Sequence, residues 1–212
     1  MYSLVIPKNF RSTQVFILSL IFYLFIYSSY QFAQEYQGRE SAFSEPNALQ
    51  PADSDSWTTI RSSYFTIYLE PDVNLKRVLS RINIRSFYTP AGRRVNSLAG
   101  LEEKIGYRMD LILEQVKKVL DIYPASTNIK VKIFKRRKDL QDEYCRITMR
   151  PSPVRSFYVY QYNTIYTSEA DINDSVIAHE MGHAAVDGHF QVVPSEKIGE
   201  MLATYVDLHL ED

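Results

Sequence analysis

Ser175-Val-Ile-Ala-His179-Glu180-Met-Gly-His183-Ala-Ala-Val-Asp187 decides how this chain is read. Ile177, Ala178, Met181, Ala184 and Ala185 recur at helical spacing and form one apolar arc, with Val176 and Val186 at its borders. His179 and His183 are four residues apart, so on a helix they point the same way one turn apart. Such a helix is buried along one side and borders a pocket with the other. Two imidazoles stacked in this way can bind one Zn²⁺ at about 2.0–2.1 Å each. Glu180 lies roughly 100° around the axis from His179. Its carboxylate then sits beside a metal rather than on it, where it can act as general base toward a metal-activated water. The competing reading is an ordinary helix with two surface histidines. The chain has only four histidines, and the apolar flanks favour the metal reading.

A catalytic zinc centre needs a third protein ligand and an open position. After Gly188 and Pro194, the stretch from Ser195 to His209 reads as a helix with an apolar stripe of Ile198, Met201, Leu202, Tyr205 and Val206. Glu200 lies off that stripe, between Gly199 and Ala203. Small neighbours allow close approach to another helix and leave the glutamate to reach across. His189 is the rival, because His179, Glu180, His183 and His189 resemble the three-histidine spacing of the metzincins except at one position. That family carries Gly where Val186 stands, since the chain turns sharply there, and a β-branched residue resists such a turn. Glu196 is a further alternative. Asp187, one turn beyond His183, is a candidate to orient an imidazole. Tyr205, Tyr166 and His209 are the side chains suited by type to stabilise an oxyanion.

The 212 residues allow one domain with an appendage, and 45 % hydrophobic content is enough for a core. A net charge of −1 favours neither nucleic acid nor an anionic membrane. Cys145 is the one cysteine, so no internal disulfide forms. The basic run Lys135-Arg-Arg-Lys138 reads as a solvated strand-to-helix loop. Lys8 and Arg11 precede an apolar run from Val15 to Tyr27, the pattern of an export signal. Residues 1–33 are therefore expected to be a signal peptide or an uncleaved membrane anchor. The protein is expected to be exported, secreted or periplasmic, with membrane attachment through this segment left open. Residues 34–57 are polar and read as a flexible linker, and 58–212 as the folded domain.

Within that domain Ser63–Leu69 alternates as a first strand. Pro71-Asp72 is expected to open a helix capped by Asp72, and Thr89–Gly92 to break the chain. Ser97–Asp121 is a long amphipathic helix, Asn128–Phe134 a strand, and Lys138–Ile147 a short helix. Val154–Tyr162 and Thr164–Thr167 are strands around a turn at Asn163, either a hairpin or one bent edge. Asp171 or Asn173 caps the histidine helix. The expectation is an α+β fold with about four strands in a small mixed sheet packed by helices.

This order of elements, with His-Glu-x-x-His followed on the next helix by Glu-x-Leu-Ala-x-Tyr, resembles the zincin metallopeptidases. Within them it resembles the gluzincins and their small one-domain members, the minigluzincins. The likeness is good over roughly 154–210 and holds only in outline over 60–153. It implies a zincin-like fold with Zn²⁺ on His179, His183 and Glu200, Glu180 as catalytic base, and a peptide or protein substrate. It also implies that the strand before the metal helix, Thr164, Ile165, Tyr166 and Thr167, lines the cleft and pairs with the substrate backbone. A zincin-like envelope scaffold with little or no turnover is the alternative function.

Overall fold

The computed structural model describes residues 56–83, 98–124, 128–190, 192 and 194–210. The expected signal or anchor (1–33), nearly all of the linker and the Thr89–Gly92 break lie outside the described residues. Among the described residues no helix is long and apolar enough to cross a membrane.

The fold is α+β. Strand β1 (Thr58–Arg61) is followed by β2 (Phe65–Leu69), α1 (Leu75–Arg81), α2 (Leu101–Leu120) and β3 (Ile129–Phe134). Next come α3 (Arg137–Thr148), β4 (Ser156–Val159), a single 3₁₀ turn (Tyr160–Tyr162), β5 (Thr164–Ser168), α4 (Asp174–His189) and α5 (Glu196–His209). The five strands form one mixed sheet in the order β1-β2-β3-β5-β4. β2, β3 and β5 run parallel, and β1 and β4 close the two edges as antiparallel partners. Four strands were expected. The extra one, β1, is only Thr-Thr-Ile-Arg, too short for its alternation to be distinctive.

Alternation along the strands separates two cores. Ile67, Val131 and Ile165 point to one face, beneath α1, α2 and α4, with Ile112, Ile177 and Met181 packed on them. Phe134, Phe157 and Tyr166 point to the other, under Leu140 of α3. Trp57, assigned to the linker from sequence, packs edge-on against Phe134 in this second core, with ring centroids 5.3 Å apart.

Local chemistry moved several boundaries. Pro71 and Asp72 form a turn instead of opening a helix: Asp72 has φ 65°, and Val73 N–H donates to the Glu70 carbonyl. Asn74 is the cap of α1, its side chain accepting from Arg77 N–H. α2 starts at Leu101 behind Gly100, with Glu102 and Glu103 in its first turn. The basic run is not merely solvated, since each of its cations has an acidic partner. Lys135 pairs with Glu169, Arg136 with Asp139, Arg137 with Asp171 and Lys138 with Asp142.

The largest correction concerns α5. Of its expected apolar stripe, Leu202 packs against the core and Val206 is buried, together with Ala203 and Leu210, but Ile198, Met201 and Tyr205 face outward. The helix is rotated so that its small residues meet α4: a Cβ on Gly182 would lie 3.3 Å from the Cα of Ala203. The same rotation turns Glu200 and Asp207 toward the imidazoles. Gly182→Val is therefore expected to push α5 outward, costing about 1–3 kcal/mol of stability. Met201→Ser, on the exposed face, should stay within about 0.5 kcal/mol. Urea unfolding of both variants checks this contrast.

Candidate metal centre

Asn173 begins α4 by accepting a hydrogen bond from Val176 N–H, and Asp174 adds negative charge to the first turn. Asp171, the other candidate cap, is engaged by Arg137 and Ser168. The helix then runs unbroken to His189 and buries Ile177, Ala178, Met181, Ala184, Ala185 and Val186. His179 and His183 emerge on one side, with ring centroids 5.0 Å apart.

Glu200 arrives from α5. Its two carboxylate oxygens lie 3.6 Å from His179 Nε2 and 3.4 Å from His183 Nε2. One ligand atom from each of the three residues falls within 4.8 Å of the others. Donors bound tetrahedrally at 2.0–2.1 Å are separated by roughly 3.4 Å. Each imidazole nitrogen is thus about that far from one of the two Glu200 oxygens.

Neither rival third ligand joins this group. Val186 stays helical and buried, so no turn brings His189 back. Six residues of helix carry His189 about 9 Å along the axis beyond His183, where it packs edge-on against Phe190. Glu196 is exposed in the first turn of α5.

Asp207 was not anticipated from the sequence. Its Oδ2 lies 3.0 Å from His179 Nδ1. A proton on Nδ1 donates to that carboxylate and leaves the Nε2 lone pair facing Glu200. The available signal was the spacing: Asp207 is seven residues after Glu200, two turns along the same face. Asp187, expected to orient an imidazole, instead accepts a hydrogen bond from Tyr158 OH at 2.8 Å. Burial raises the Asp187 carboxyl, with the Tyr158 bond opposing the shift. Asp207→Ala is expected to weaken zinc binding about 10- to 100-fold, whereas Asp187→Ala should leave it near the wild-type value. Competition with a chromogenic chelator measures both.

Glu180 is only 7 % exposed. Burial pushes its carboxyl up to about 7, against a hydrogen bond donated by Ser156 Oγ and the attraction of His179. Burial also lowers His183, which favours the neutral imidazole that a metal requires.

The expected substrate strand needs correction. Thr164, Ile165, Tyr166 and Thr167 are all buried, and β5 is paired on both sides, with β3 and with β4. No free backbone edge remains on it. The edge beside the histidine helix belongs to β4, whose Ser156 and Tyr158 both hydrogen-bond to α4. Long-range pairing of Lys130 with Thr164 placed β5 inside the sheet, and nothing local to 164–167 announces that.

Of the oxyanion candidates Tyr166 falls outside the centre, whereas Tyr205 lines a surface cleft together with Glu200. Tyr166 packs in the second core, on the sheet face opposite α4, stacked on Phe157 at 4.6 Å. Tyr205 and His209 stack on each other, and Tyr205 is 47 % exposed on the outward side of α5.

Compared with protein-family models, curated proteins and solved structures, the chain shows no match. The class of the protein therefore rests on its own geometry: two imidazoles and a carboxylate converging on one point, with a buried glutamate beside them.

Proposed function

We propose that this protein is a zinc-dependent metallopeptidase with a zincin-like fold of the gluzincin type. The observation that carries the reading is the convergence of the His179, His183 and Glu200 ligand atoms within 4.8 Å. Two nitrogens and one carboxylate oxygen make a donor set suited to zinc with one position open. Bound there, zinc would supply Lewis acidity to a water and to a substrate carbonyl.

The chain's own residues do the rest. Glu180 takes the proton from the attacking water and delivers it to the leaving nitrogen. Its burial shields the proton exchange from bulk water. Asp207 fixes the His179 ring by accepting from Nδ1. An extended peptide can add to the outer edge of β4, which has no strand partner among the described residues, and backbone hydrogen bonds would supply affinity there without regard to side chains. Export through the N-terminal apolar segment, with or without retention as a membrane anchor, belongs to the same proposal.

The test is digestion of a broad peptide library by the zinc-loaded full chain, before and after chelation. Cleavage that disappears with the chelator and returns with zinc supports the reading. A protein that binds zinc stoichiometrically and cuts no peptide is a scaffold, and the peptidase reading then falls.

A further inference from the structure

Among the described residues one hydrogen bond reaches the Glu180 carboxylate. It comes from another element, the edge strand β4, where Ser156 Oγ donates to Glu180 Oε1. A glutamate has three side-chain torsions. Removed from water and bonded at a single oxygen, it takes its orientation from that bond. Oε2 is left without a hydrogen bond and available for proton exchange.

The donor is held firmly. Ser156 sits opposite Thr167 in the β4–β5 register. The next residue, Phe157, is stacked on Tyr166 at 4.6 Å and edge-on to Tyr144 at 4.9 Å in the second core. Two residues on, and back on the Ser156 side of the sheet, Tyr158 OH donates to Asp187 of α4 at 2.8 Å. One face of the strand is thus anchored by aromatic packing. The other is tied to α4 at Glu180 and again two turns later at Asp187. Glu180 lies too deep to be positioned by solvent, and no hydrogen bond links it to His179 or His183 of its own helix or to Glu200 of α5 among the described residues.

We propose that Ser156 is a positioning residue for the general base, fixing the Glu180 carboxylate from the edge strand in the orientation that proton transfer needs. The proposal rests on the metallopeptidase reading. It adds that the edge available to an extended peptide and the base that acts on it are joined through one hydroxyl. The base acts in the chemical step and not in binding, so loss of Ser156 should lower kcat and leave KM alone.

The experiment compares Ser156→Ala and Ser156→Thr with wild type in the full chain. Ser156→Ala is expected to lower kcat about 10- to 100-fold, with KM and zinc affinity unchanged. Ser156→Thr, which keeps the hydroxyl, should stay within about threefold of wild type. A second readout needs no turnover: binding of acetohydroxamate to the cobalt-substituted protein, followed by its visible spectrum. A hydroxamate donates a hydrogen bond to a correctly placed base, so its affinity should fall about tenfold in Ser156→Ala and persist in Ser156→Thr.

Unchanged kcat and hydroxamate affinity in Ser156→Ala would overturn the proposal. So would equal losses in both variants accompanied by loss of zinc, which would make the residue structural only. If the wild type cleaves no peptide while hydroxamate binding still depends on the Ser156 hydroxyl, the positioning role stands and the peptidase reading alone fails.

Discussion

Glu180→Gln is expected to keep its zinc and lose peptide cleavage. The amide has nearly the shape of the carboxylate and can still accept from Ser156, but it cannot take a proton from water. Loss of a general base costs about 10²–10⁴ in rate, and here the same group also serves the leaving nitrogen. The expected loss in kcat is at least on the order of 10³. Zinc affinity should change little, because the proposed ligand atoms belong to His179, His183 and Glu200. Steady-state cleavage together with metal analysis of the purified variant measures both quantities.

The same substitution should reverse a pH effect on stability in the metal-free protein. Burial raises the Glu180 carboxyl from 4.5 to about 7 in the fold. Below pH 4.5 the group is protonated both folded and unfolded, and its burial carries no charge penalty. As pH rises through 7 the folded state must either retain its proton or bury a charge, so the stability present at low pH is lost. The loss attributable to Glu180 is on the order of 3 kcal/mol between pH 4.5 and 8. Glu180→Gln lacks this term, so after chelation it should exceed wild type in stability at pH 8 and match it near pH 4.5. Urea midpoints of chelator-treated protein at the two pH values compare them. Equal pH dependence in both proteins would show that the carboxylate is not buried in this way.

Glu200→Ala has the second large effect, and it acts on the metal instead of the chemistry. In the proposed centre, removing one of three ligands leaves two imidazole nitrogens with no carboxylate partner for a divalent cation. The expected fall in zinc affinity is at least about 10²-fold, beyond the 10–100-fold set by an outer carboxylate such as Asp207. Stability of the metal-free protein should hold, because Glu200 is 57 % exposed and its helix is held by Ala203 and Val206. Chelator competition measures the affinity and thermal unfolding the stability. A variant that unfolds, or one that keeps full zinc affinity, contradicts the assignment of Glu200 as ligand.

Much of the candidate metal centre's side-chain cluster was legible because its information is local. His179, Glu180 and His183 lie within five residues, and their relative directions follow from helix geometry alone. Glu200 was legible through its neighbours: Gly199 and Ala203 marked a helix face made for close contact. Asp207 and Ser156 were not found. Asp207 needed the relative rotation of two helices, which the backbone contact at Gly182 sets. Ser156 needed the position of β4 in the sheet, which depends on pairing between strands far apart in sequence.

Hydrophobic pattern was a good guide where one face of an element is buried, as in α2 and β3. It misled in α5, where Ile198, Met201 and Tyr205 stand outward although they are the larger apolar groups. At Thr164–Thr167 the pattern was right about a strand, and it was the family resemblance that misplaced it at the cleft, because pairing with β3 and β4 covers both its edges. Pro71-Asp72 was read as a helix start because Pro and Asp favour both a first helical turn and a tight turn. The left-handed backbone at Asp72 decided for the latter.

The central claim is that one divalent ion is held by His179, His183 and Glu200. Zinc K-edge absorption on the stoichiometrically loaded protein, taken for wild type and Glu200→Ala, tests it most directly. The account predicts two imidazole nitrogens at about 2.0–2.1 Å and a carboxylate oxygen at about 2.0–2.2 Å that Glu200→Ala removes. Failure of the wild type to take up stoichiometric zinc, or a first shell left unchanged by Glu200→Ala, would contradict it.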